Sequence, residues 1–151
     1  MGLFAALKGA PWEAIKSGIR AFRVNYASSS FDTDRVSSAI VTEPDSIEAV
    51  ERGLRERRFE GTYLAYYYDG ERLNMRRPEP PEKGGPPMEL HVRAFDHEDG
   101  IELVAHHEAS RYEAKNDHIN EVGLSWSKGR EMLSAELEVL GWEYRYEDPD
   151  P

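Results

Sequence analysis

Residues 88–109 read MELHVRAFDHEDGIELVAHHEA, two runs in which apolar and polar side chains alternate on either side of a Glu-Asp-Gly break. A period of two marks a β-strand, and Asp99-Gly100 supplies the backbone conformations of a tight hairpin turn. The pattern therefore predicts a hairpin with Met88, Leu90, Val92, Ala94, Leu103, Ala105 and His107 on one side. His91, Arg93, Phe95, Glu102, His106 and Glu108 fall on the other. Moving the turn by a whole residue pair leaves this division unchanged, because side chains alternate strictly along a strand.

Upstream, Phe59 to Arg77 predicts a second hairpin about Asp69-Gly70. Its apolar side holds Leu64, Tyr66, Leu73 and Met75, and its other side sets Tyr67 opposite Arg72 and Tyr63 opposite Arg76. Five prolines and two adjacent glycines make 78–87 a connector. Asp45 followed by Glu48 predicts a capped helix to about Arg57, with Ile47, Val50 and Leu54 on one face. Ser127 predicts the start of another, over 127–140, with Gly141 at its end. Residues 117–126 fit helix and strand equally; Trp142, Tyr144 and Tyr146 alternate as a final strand, and 148–151 is a tail. The expected architecture is a single α+β domain over 1–151, an antiparallel sheet of two Asp-Gly hairpins with helices packed on one face.

The first 23 residues predict an amphipathic helical segment with Trp12, Ile15, Ile19 and Phe22 as its apolar stripe. Lys8, Lys16, Arg20 and Arg23 against Glu13 make it basic in a chain of formal charge −10. Such a helix suits the acidic body of its own domain, a protein partner or self-association, and, ranked behind these, an anionic membrane surface.

The 29 acids are dispersed along the chain, and arginine outnumbers lysine 14 to 5. That balance fits a salt-adapted cytoplasm, where dispersed carboxylates keep a protein hydrated and guanidinium holds carboxylates in bidentate pairs. The absence of cysteine excludes disulfides, thiolate metal sites and a cysteine nucleophile. Charges interrupt every apolar stretch at the N-terminus, so no secretory signal is expected there, and no run is long enough to span a bilayer.

The reading ranked first is a non-enzymatic binding or assembly module. It would use an open sheet face of Tyr63, Tyr67, Arg72, Arg76, His91, Arg93, His106 and Glu108 together with the N-terminal helix. No cofactor motif or metal-ligand spacing supports a bound group, so none is expected. Two alternatives stand beside it. His91, His106 and Glu108 could converge as the ligands of a metal-dependent enzyme, since imidazole and carboxylate together suit zinc or iron. Tyr63, Tyr67, Arg72 and Arg76 could stack single-stranded nucleic acid, although a charge of −10 argues against phosphate as a partner. The Gly-Leu-Ser-Trp-Ser stretch at Ser125 fails the serine-nucleophile pattern at its last position.

Because carboxylates repel one another when unscreened, the melting temperature is expected to fall as KCl is lowered from about 2 M to about 0.1 M. Melting that ignores salt over that range refutes the salt-adapted reading.

Overall fold

A computed structural model of the chain describes residues 36–62 and 68–149. Contacts divide the chain into two units, and the elements below belong to the unit of residues 32–62 and 70–151. The other unit holds only two described residues, Tyr68 and Asp69. Trp12, Ile15, Ile19 and Phe22, and likewise Tyr63 and Tyr67, lie outside the described residues.

The elements are β1 (Ser38–Glu43), α1 (Ile47–Glu56), β2 (Glu60–Gly61), β3 (Glu71–Glu79), β4 (Met88–His97), β5 (Gly100–Ala109), α2 (Lys115–Ile119), α3 (Trp126–Leu140) and β6 (Glu143–Glu147). All six strands form one antiparallel sheet in the order β2-β3-β4-β5-β1-β6. The class is α+β, and no helix among the described residues is long and apolar enough to cross a membrane.

The β4–β5 hairpin forms over the expected residues, but its turn is Glu98-Asp99, with His97 opposite Gly100. The expected Asp99-Gly100 turn is thereby corrected. Gly100 serves a different purpose: a Cβ there would lie 2.0 Å from the Val41 carbonyl oxygen, so its missing side chain lets β1 close on β5. All pairings move by one residue pair, which leaves the two faces as expected, with Val92 opposite Ala105 and His91 opposite His106.

The register of β2 on β3 differs from the turn count. Glu60 lies opposite Arg76 and Gly61 opposite Met75, so Arg76 does not face Tyr63. A two-residue turn at Asp69-Gly70 would require a register offset from this one by an odd number, and the intervening stretch 63–67 lies outside the described residues. Strand β3 also runs two residues into the expected connector, pairing Pro78 with Glu89 and Glu79 with Met88. Proline is tolerated there because, among the described residues, β2 begins opposite Arg76 and leaves the edge at Pro78 needing no donor.

Both main helices start one or two residues from the expected caps. Ser46, not Asp45, accepts from the Ala49 amide at the start of α1, and Ser125, not Ser127, accepts from the Lys128 amide at the start of α3. Gly141 closes α3 with φ 69°, as the left-handed C-terminal position requires. The ambiguous stretch 117–126 divides: α2 takes its beginning, and Ser125 at its end exchanges two backbone hydrogen bonds with His107 of β5 (3.0 and 2.8 Å).

The apolar face of the sheet carries Ala39, Val41, Leu73, Met75, Leu90, Val92, Ala94, Ile101, Leu103 and Ala105, and α1 and α3 cover it with Val50, Leu54, Leu133 and Leu137. Helix α3 reaches this position by crossing β5 at Gly129, where a Cβ would stand 2.3 Å from the His106 Cα. Glu136 of α3 clamps the layer at one end: it accepts from Arg57 Nε at 2.6 Å, next to the end of α1, and from Arg77 Nη1 of β3 at 2.7 Å. Burial acts to raise the Glu136 carboxyl, but hydrogen bonds from Arg57 and Arg77 win and hold it below the ordinary value.

A carboxyl lowered by folding stabilises the fold above its unfolded value and loses that contribution as pH falls from there through its folded value. Glu136→Gln is therefore expected to melt several degrees below the wild type at pH 7. The difference should close as pH falls below about 4.5, read by thermal denaturation across a pH series.

A candidate metal centre on the polar face

The second face of the sheet is built by alternation from β3, β4 and β5: Asn74 and Arg76, then Glu89, His91 and Arg93, then Glu102, His106 and Glu108. It is a closed face, not an open one. Glu89 is 0 % and His91 1 % exposed, and Arg76, Arg93, His106 and Glu108 are also buried. This corrects the solvent-facing surface expected for these residues. Among the described residues expected on it, Arg72 alone is exposed, held by the Asp96 carboxylate at 2.7 Å. The ring over which Arg76 lies, at 4.6 Å, is that of Tyr112.

Burial obliges each charge here to find a partner. The Glu89 carboxylate sits between two guanidiniums, with Arg76 Nε 2.7 Å from Oε2 and Arg111 Nε 2.8 Å from Oε1. Burial still lifts the Glu89 carboxyl above its ordinary value, against the pull of Arg111 and Arg76. Arg93 Nε lies 2.8 Å from Glu71 Oε1, and Arg76 also reaches Glu60 at 3.0 Å.

At the centre, three donor atoms converge. His91 Nδ1 is 3.3 Å from His106 Nε2, and both lie near the same Glu108 oxygen, Oε1, at 3.4 and 3.1 Å. The tautomer of His91 follows from its neighbours. Asn74 donates its amide to Glu71 Oε1 at 3.2 Å, which turns its carbonyl oxygen toward His91 Nε2 at 2.6 Å. Nε2 therefore carries the proton, and Nδ1 presents a bare lone pair to His106 and Glu108. Burial, with Arg93 nearby, holds the His91 imidazole well below its ordinary value, so it is neutral at pH 7. Burial also works against the Glu108 charge, yet its hydrogen bond with His106 prevails and keeps it a carboxylate far below the usual range.

The wall around these atoms comes from the connection between β5 and α3. Arg111 Nη2 contacts Glu108 Oε1 at 3.0 Å and His91 Nδ1 at 3.2 Å, and His118 Nδ1 lies 3.5 Å from Glu108 Oε2. The Trp126 ring leans on His106, centroid to centroid 4.7 Å, and is partly exposed.

Of the residues singled out in the sequence, the structure thus brings together His91, His106 and Glu108, and places Arg76 and Arg93 in the ion-pair shell around them. Asn74 and Glu89 were within reach of the same alternation, two positions from residues already on that face. Arg111 and His118 belong to no strand, and Trp126, which fits both the helical and the strand period, opens α3. No protein-family model, curated protein or solved structure matches the chain.

Asn74→Ala strips a fully buried imidazole N–H of its acceptor. It is expected to destabilise the metal-free chain by about 1–3 kcal/mol in denaturant unfolding, the cost of leaving a buried polar group unsatisfied.

Proposed function

We propose that this chain is a transition-metal protein in which His91 Nδ1, His106 Nε2 and Glu108 Oε1 are the ligands, zinc is the ion that suits them, and the chemistry is metal-dependent. The observation that carries this reading is the size of the donor triangle. Zinc bonds of about 2.0–2.1 Å give a tetrahedron whose edges are about 3.3–3.4 Å, whereas the same bonds in an octahedron give edges of about 2.9 Å. The separations of 3.1, 3.3 and 3.4 Å fit the first.

The surroundings agree with that assignment. A ligating histidine characteristically donates its other ring N–H to a fixed acceptor, and His91 does so to Asn74. Three protein ligands leave a fourth position for water or substrate, the arrangement by which zinc lowers the pKa of bound water or polarises a carbonyl or phosphoryl oxygen. The setting proposed for this chemistry is a salt-adapted cytoplasm, on the strength of the dispersed acids and the arginine bias.

Untagged protein titrated with zinc is expected to take up about one ion per chain, with His91→Ala and His106→Ala abolishing uptake. Asn74→Ala should weaken it about 10–100-fold, as the loss of a supporting hydrogen bond does at other metal sites. Cobalt binding should alter Trp126 fluorescence in the wild type, with Trp126→Phe as the control. A folded wild-type chain that takes up neither ion removes the reading.

A further inference from the structure

We infer that Arg111 is an internal competitor for the metal, its guanidinium holding in the metal-free chain donor lone pairs that an ion would have to take. The inference rests on the metal-centre reading above and adds to it the residue that sets affinity.

The distances carry it. Arg111 Nη2 stands 3.2 Å from His91 Nδ1 and 3.0 Å from Glu108 Oε1, the same spacing those donors keep between themselves. His91 Nδ1 has a single lone pair, and in the metal-free chain the Arg111 Nη2 N–H faces it. An ion bonded to His91 must take that lone pair from a protonated nitrogen that has none to give in return. Metal and guanidinium therefore exclude one another, and loading is an exchange of one cation for another.

The exchange has a hinge. Arg111 Nε stays within 2.8 Å of Glu89 Oε1, and its backbone N–H reaches Glu89 Oε2 at 3.3 Å, so the residue is anchored on a carboxylate that is not one of the three ligands. Turning the planar head about that anchor withdraws Nη2 while Nε keeps its partner. In the metal-free chain the same nitrogen supplies the positive charge that the buried Glu108 carboxylate needs, so the fold does not depend on the ion. The apparent affinity is the intrinsic one reduced by the fraction of chains in which Arg111 has withdrawn.

Zinc affinities of the wild type, Arg111→Met and Arg111→Lys, measured by competition with a chromophoric chelator and paired with melting curves with and without zinc, test the inference. Arg111→Met is expected to bind about tenfold more tightly than the wild type if the guanidinium holds the site about ten to one. Metal-free Arg111→Met should melt lower than the wild type, and zinc should remove most of that difference. Arg111→Lys keeps a buried cation without the forked reach, and should stay folded and bind zinc with intermediate affinity. If Arg111→Met is unfolded without zinc, zinc-driven folding supports the exchange, and the Lys variant still decides it through its affinity. Binding by both variants that is equal to or weaker than that of a zinc-binding wild type overturns the competition and leaves the metal centre standing. Zinc bound by none of the three chains overturns both.

Discussion

A carboxylate with no exposure to water governs this structure. Glu89 sits in the middle strand of the polar face, and its two oxygens are taken by Arg76 from the neighbouring strand and Arg111 from the connection beyond β5. Removing one partner from such a buried pair costs about 3–5 kcal/mol, because the charge left behind has nowhere to go. Replacing the whole set by well-packed apolar side chains is often neutral or stabilising. Stability alone therefore gives no reason for a sheet to carry Glu89, Arg76, Arg111, His91 and Glu108 at its centre when its other face is built from Leu, Val, Met and Ala. What the charged face holds that an apolar one would not is a set of oriented lone pairs.

Strand β5 explains how that set is assembled. Its first residues pair with β1 and its last do not, so from Ala105 onward one edge needs a partner. Ser125 supplies it by pairing with His107, and Gly129 lets α3 cross β5 backbone to side-chain-free backbone. The connection from Ser110 to Ser125 is thereby drawn across the end of the sheet. It carries Arg111 onto Glu89 and His118 toward Glu108, and the start of α3 that follows sets Trp126 against His106. Protecting one strand edge and walling one polar site are the same construction.

The legible part of this in the sequence was whatever depends on parity. The assignment of His91, His106 and Glu108 to one face survived a misplaced turn, because moving from Asp99-Gly100 to Glu98-Asp99 shifts partners by two and faces by none. The same argument failed on the first hairpin, where Glu60 and not Tyr63 lies opposite Arg76, an odd offset that alternation cannot absorb. Helix starts slipped by one or two residues where several capping side chains stand together, Asp45 beside Ser46 and Ser125 near Ser127, each able to accept the same amide. Exposure was the larger error. Polar residues on one side of a strand pattern read as solvated, whereas the ion pairs of Arg76 with Glu89, of Arg93 with Glu71 and of Arg111, just beyond β5, take them out of water.

Charge balance gives the polar face its direction. Among the described residues its buried carboxylates are Glu71, Glu89, Glu102 and Glu108, and its buried guanidiniums are Arg76, Arg93 and Arg111. The histidine within it whose charge state is fixed by burial, His91, contributes none at pH 7. Its buried carboxylates therefore outnumber its buried guanidiniums by one, and Glu108 is the one whose Oε1 is shared by His91, His106 and Arg111. A divalent ion at the three donors would add its charge beside Glu108, while Arg111, turned away with its Nε still on Glu89, keeps that second carboxylate paired. In surroundings of low dielectric, where an uncompensated charge is most costly, a cation placed against Glu108 is a driving force toward the ion which the geometry of the three donors alone would not provide.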